Sequence, residues 1–191
     1  MTVTERLLHY VSFDTQSDES SETCPSTAKQ KLLGEALVEE MRALGIADAR
    51  IDADGYVYGS VPGTPGAPAI GLIAHMDTSP DITAKHVRPR IVSNYDGGDI
   101  VLNAEKDIVM RTEVFEHMLN YVGQDLIVTD GTTLLGADDK AGIAEILTAL
   151  EHILTEKIPH GPLCVAFTPD EEIGMGAEYF DLEQFGLVLF Q

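Results

Sequence analysis

The sequence predicts a three-layer α/β/α fold with a central mixed, mostly parallel sheet. Three observations predict it. Two continuous apolar runs, at residues 69–74 and 163–168, have the length and composition of strands buried on both faces. Three stretches, at 2–13, 26–44 and 138–156, carry apolar residues at helical spacing. A strand at 126–128, the long helix after it and the strand at 163–168 read as a βαβ unit with a right-handed crossover. With 191 residues, 44% of them hydrophobic, the chain is long enough for one domain with a substantial core.

The elements follow in order. Thr4 is positioned to cap the first helix, and Leu7, Leu8 and Val11 form its apolar face. Residues 14–25 are polar and read as a loop. Ser26 or Thr27 opens the second helix, whose face is Leu32, Leu33, Ala36, Leu37, Met41 and Leu44, and Gly45 ends it. Two short strands, 49–53 and 56–61, flank Asp54-Gly55, a two-residue hairpin signal. A Pro/Gly connector leads to the strand at 69–74. The stretch 79–124 is turn-rich at residues 94–98 and reads as an irregular excursion with a short helix at 113–121. A strand at 126–128, and a further strand at 132–135, precede the long helix. That helix is opened by Asp138 or Asp139 and presents Ile143, Ile146, Leu147, Leu150, Ile153 and Leu154.

Three acidic or histidine clusters stand beside these buried elements. His75-Met76-Asp77 ends one strand, Asp170-Glu171-Glu172 ends another, and Asp138-Asp139-Lys140 opens the long helix. Ionisable groups are costly beside an apolar core unless something compensates them. Open α/β sheets build their sites outside the carboxyl ends of strands. A divalent metal supplies the compensation, and imidazole with carboxylates suits zinc. His75 is a candidate ligand, with Asp77 two residues on to orient its ring through the other nitrogen. Of the Asp138-Asp139 pair, Asp138 is assigned to metal and Asp139 to the helix cap or local hydrogen bonding, with Lys140 balancing charge and Gly136 and Gly142 allowing close approach. Glu171 and Glu172 offer one carboxylate to ligate metal and one to take a proton from water, while Asp170 reads as a turn or cap residue.

Charge and cysteine content narrow the class. A formal net charge of −20 argues against nucleic acid and is compatible with attracting cations, including the amino terminus of a peptide. There is no glycine-rich phosphate loop. The two cysteines, Cys24 in a polar loop and Cys164 in an apolar run, form no disulfide framework, which fits a reducing cytoplasm. No signal peptide and no membrane span is expected.

Longer strings around these clusters carry a resemblance. They are residues 75–81 (HMDTSPD), 94–100 (NYDGGDI), 129–142 (TDGTTLLGADDKAG), 158–161 (IPHG) and 166–172 (AFTPDEE). Together they resemble the M20 family of di-zinc metallopeptidases, and within it the branch of tripeptide aminopeptidases. The resemblance implies a zinc-peptidase-like catalytic domain, two Zn2+ per complete active site and tripeptide substrates in a cytoplasmic homodimer. It implies that His75 ligates one zinc, Asp138 bridges both and Glu172 ligates the second. Glu171 is then the general base, Asp77 the catalytic aspartate, and the Asp138-Asp139 peptide bond is expected to be cis. Members of the branch are longer. They carry a further zinc-binding Asp, a distal zinc-binding His and a lid or dimerisation domain, none of which has a counterpart in these residues. His9, His86, His117, His152 and His160 match none of the ligands.

Residues 1–186 are therefore expected to form the N-terminal portion of such a catalytic domain, inactive alone and prone to self-association at an exposed edge of strand 163–168. Residues 187–191, Leu-Val-Leu-Phe-Gln, resemble the recognition sequence of a viral 3C-type protease and are set aside as a tag-cleavage scar. Frameshift or natural truncation is the alternative origin. Other M20 chemistry (dipeptide hydrolysis or removal of an N-acyl group) and a non-catalytic metal-binding fragment stay open as alternatives.

Overall fold

A computed structural model describes residues 1–186; the segment 187–191, read above as a scar, lies outside the described residues. In chain order the elements are α1 (Val3–Tyr10), α2 (Gln30–Ala43), β1 (Arg50–Ile51), β2 (Val57–Val61), β3 (Ile70–His75), β4 (Arg90–Val92), β5 (Ile100–Asn103), β6 (Ile108–Met110), β7 (Leu126–Val128), α3 (Ala137–Glu156), β8 (Leu163–Thr168) and α4 (Leu182–Phe185). Short 3-10 turns occupy Glu116–Tyr121 and Glu171–Ile173. The chain forms two compact units, one from Met1–Asp81 with the residues from Gly136 on, the other from Ile82–Leu135.

The first unit holds a four-stranded mixed sheet in the order β1-β2-β8-β3. β8 runs parallel to β3 and antiparallel to β2, and β1 is antiparallel to β2. The expected mixed sheet is present, but one of its three described pairings is parallel, not most of them. The hairpin closed by Gly55, which has φ of 87°, sets β2 antiparallel to β1, and β2 in turn pairs antiparallel with β8. The strand that forms a βαβ unit with α3 and β8 is β3, not the expected 126–128, which pairs with β4 in the other unit.

Helices α1, α2 and α3 pack one face. Leu33, Leu37, Met41, Ile143, Leu147 and Leu150 bury themselves against Val57, Ala74, Val165 and Phe167. The other face is covered by Phe180 and Phe185 over Tyr56, Tyr58, Cys164 and Ala166. Alternation along β8 divides Leu163 to Phe167 between the two clusters, and with Thr168 all six of its residues are buried. β8 is thus an interior strand. The expectation of an exposed edge there is corrected: the edges are β1 and β3, and Ile70 and Ile73 of β3 are each 53% exposed. β3 is accordingly not buried on both faces along its length, because β8 covers only one of its sides and Phe180 and Phe185 lie over β2 and β8.

Local signals differ from expectation in small ways. Thr2, not Thr4, caps α1, and its side chain and that of Glu5 form a capping box. The buried positions of α1 are Arg6 and Tyr10, while Leu7 and Leu8 are half-buried. α2 begins at Gln30, after a turn in which the Gln30 N–H donates to the Thr27 carbonyl. Residues 132–135 form no strand.

The second unit corrects the irregular reading of 79–124. It contains two two-stranded antiparallel sheets, β4 with β7 and β5 with β6, around Tyr95, Ile100 and Met118. Strands of three and four residues with half-buried faces leave too short a pattern to read.

Candidate metal centre

The parallel pairing of β3 with β8 brings the first two clusters together. His75 pairs with Thr168 in register, and the Met76 N–H donates to the Thr168 carbonyl at 2.8 Å. The chain therefore leaves both strands side by side. The third cluster arrives at the start of α3, after Gly136 in the left-handed region at φ 76°. The Asp138-Asp139 peptide bond is cis, as the resemblance implied. Neither aspartate has helical dihedrals, so α3 proper begins after them.

Asp77 is fully buried (0% exposed). Its Oδ1 accepts the Glu171 N–H at 3.0 Å and its Oδ2 accepts the Glu172 N–H at 3.1 Å. One carboxylate thus ties the end of β3 to the turn after β8. His75 is also buried. Its Nδ1 lies 3.1 Å from the Asp77 carbonyl and 3.3 Å from Asp77 Oδ1, which leaves Nε2 facing outward. That Nε2 stands 2.9 Å from Asp138 Oδ1 and 3.7 Å from Glu171 Oε2. Burial opposes a charge on the imidazole, but the carboxylates of Asp77, Asp138 and Asp139 outweigh it and push its pKa up to about 9.

One nitrogen of His75 and one oxygen each of Asp138 and Glu172 lie within 4.8 Å of one another. These are the three residues expected to hold metal, and the folded chain brings them together. The donor set fits a divalent cation: an imidazole and two carboxylates, with an excess of negative charge around them. The carboxyl of Glu172 is held above its usual range, first by burial and then by Asp138, Asp77 and Glu171, while His75 opposes the shift. Burial likewise raises Asp139. Asp139 Oδ1 accepts the Gly142 N–H at 3.1 Å, the local bond expected of it. A Cβ at residue 142 would overlap that carboxylate and displace it from this bond.

Lys140 is fully buried, and its Nζ donates to the Phe13 carbonyl at 2.8 Å. Burial lowers its pKa to about 8 although Asp14 and Asp77 oppose the shift. Asp170 is buried as well, in contacts with Ser26 and Gln30. Its partners lie more than a hundred residues away in the chain, so no local pattern announces them.

The family profile described as Peptidase family M20/M25/M40 matches residues 128–185, which include Asp138, Glu171 and Glu172. Peptidase T of Clostridium acetobutylicum is 55% identical over 187 residues, 96% of this chain and 46% of the relative. Peptidase T of Desulfitobacterium hafniense is 56% identical over 188 residues, 97% of this chain and again 46% of the relative. The chain spans about half the length of the curated relatives it matches. Among solved structures, a tripeptidase from Staphylococcus aureus superposes with a TM-score of 0.66 at 26% identity, over 95% of this chain and 40% of that one. Aminopeptidase PepT from Bacillus cereus, at 24% identity and a TM-score of 0.65, has the same fold over 95% of this chain and 39% of its own. Identity above one half along almost the whole chain, together with the matched segment that carries the acidic clusters, means that this chain belongs to peptidase family M20/M25/M40.

Proposed function

We propose that these residues are the N-terminal portion of the catalytic domain of a zinc-dependent tripeptide aminopeptidase. The observation that supports this most is the meeting of His75, Asp138 and Glu172, with the Glu171 carboxylate beside them, in a chain so similar to Peptidase T proteins. His75 and Asp138 would hold one zinc, and Asp138 with Glu172 would hold a second. The remaining ligands, the lid or dimerisation domain and the C-terminal catalytic half come from outside these residues. Zinc bound there polarises the scissile carbonyl and acidifies the attacking water.

The protein's own residues do the rest. The Glu171 carboxylate takes the proton from water as its oxygen attacks the carbonyl carbon. The same carboxylate returns the proton to the amide nitrogen as the C–N bond breaks. Asp77 acts from behind, holding the His75 ring through Nδ1 and the backbone of Glu171 and Glu172 through both carboxylate oxygens. The net charge of −20 draws the positively charged amino terminus of a short peptide toward the site. The whole protein acts as a cytoplasmic homodimer, without nucleic acid or membrane partners; no described helix is long and apolar enough to cross a membrane.

The test is a substrate panel on the full-length protein with added zinc: a tripeptide with a free amino terminus, its N-acetylated form, and a dipeptide. The free tripeptide is expected to turn over at least about tenfold faster than its N-acetylated form, the discrimination available to a site with a polar group placed for the substrate's amine, and faster than the dipeptide. A chelator removes the activity and zinc restores it. Turnover that survives chelation overturns the metal reading, and faster release of the acyl group replaces the aminopeptidase with a deacylase. These 191 residues alone, holding part of the ligand set, are expected to show no turnover.

A further inference from the structure

Asp170 stands immediately before the two glutamates, and the reading above gives it no role. It is 2% exposed, and its backbone has φ of 56°, in the left-handed region that few non-glycine residues adopt and that aspartate enters more readily than most. It opens the 3-10 turn Glu171–Ile173 yet gives that turn no side-chain cap. Its carboxylate turns instead to the segment leading into α2. Oδ2 accepts the Ser26 N–H at 2.6 Å, and Oδ1 accepts the Ser26 hydroxyl at 2.5 Å and the Gln30 side-chain amide at 2.6 Å. Gln30 Oε1 accepts the Asp170 N–H at 3.2 Å in return. The Asp170 carbonyl accepts the Met175 N–H at 2.9 Å, which closes the turn behind the glutamates.

These bonds determine where the next two peptide planes face. The Glu171 and Glu172 N–H groups both point at Asp77, the residue that also orients His75. With Asp170 in the ordinary right-handed or extended region, the plane after it would turn away from the end of β3 and both bonds would be lost. Ser26 and Gln30 are themselves buried, so the carboxylate meets preformed donors in a dry setting, where bonds to a charged acceptor are strong. We infer that Asp170 is a positioning residue. Gripped by Ser26 and Gln30, it fixes where the Glu171 and Glu172 carboxylates stand against Asp138 and His75, and it does not touch the reacting atoms. This rests on the proposed roles of Glu171 and Glu172.

The experiment titrates cobalt(II), read by its visible absorption, into the metal-free full-length protein and three variants of it. Asp170→Asn keeps the shape but presents an amide N–H to the Ser26 and Gln30 donors. Asp170→Asn with Gln30→Glu exchanges donor and acceptor across the same contact. Leu150→Ala, in the helix core, is the control for lost stability. D170N is expected to weaken cobalt binding by about 10- to 100-fold, the usual effect of losing a partner behind a metal ligand, and to change the absorption envelope. The swapped pair recovers part of both, and L150A leaves both as in the parent despite a lower Tm. Should D170N not fold, Ser26→Ala, which removes one donor, is read in its place. Parent-like affinity and absorption in D170N overturn the inference, as does equal weakening in L150A. A full-length parent that binds no cobalt overturns instead the metal reading on which the inference stands, and the inference with it.

Discussion

Arg6→Ala is expected to lower the free energy of unfolding by about 3–5 kcal/mol, the range for removing one partner of a buried ion pair. Arg6 is 1% exposed in the middle of three helices. Its Nε donates to Glu40 of α2 at 2.7 Å, and its Nη2 donates to Glu151 of α3 at 2.6 Å. Its Nη1 donates to Thr148 Oγ1 and to the Met1 carbonyl, both at 2.9 Å. Alanine would leave Glu40, whose side chain is only 15% exposed, with the Tyr10 hydroxyl at 2.6 Å as its remaining bond. Glu151, at 35%, returns to water at little cost, so the Glu40 carboxylate carries most of the loss. Urea unfolding of the 191-residue chain measures it. Arg6→Met with Glu40→Met is expected to recover most of the stability, because an apolar pair of similar volume leaves no charge stranded. A single variant within about 1 kcal/mol of the parent would place this contact among ordinary surface ion pairs.

Glu171→Gln in the full-length protein is expected to reduce turnover by about 100- to 10,000-fold, the contribution of a positioned acid or base. Zinc content is expected to stay the same. Glutamine has nearly the same shape and keeps the backbone N–H that donates to Asp77, but its side chain accepts no proton. The three donors that converge within one ion's reach are His75, Asp138 and Glu172, so this substitution leaves them in place. Turnover measured beside metal analysis separates the roles. Lost activity with bound zinc supports Glu171 as base, lost zinc makes it a ligand, and near-parent turnover moves the base elsewhere.

Arg6 also marks the limit of reading helices by pattern. An amphipathic template places leucines inward and a charged residue outward, yet here Arg6 is buried and Leu7 and Leu8 are half-buried. Its two carboxylate partners lie on α2 and α3, so the position becomes intelligible only once those helices are packed around it. Asp170 is similar: its place before Glu171 suggested a turn, while the donors that bury it belong to residues 26 and 30.

What the sequence determined by itself is whatever depends on neighbours in the chain. The periodicity of α2 and α3, the apolar run of β8, the hairpin at Gly55 and the three clusters at element ends were all legible, because each is a pattern within a few residues. Strand order was not. That β8 lies between β2 and β3, that Ile73 stands at an open edge, and that residues 82–135 form a unit of their own depend on which surfaces find each other. The meeting of His75, Asp138 and Glu172 belongs to the same class: the residues were visible singly, and only the parallel register of β3 on β8 with the entry into α3 brings their donor atoms within reach of one ion. Long-range pairing is decided by the burial and hydrogen bonding of the whole chain, which no local window contains.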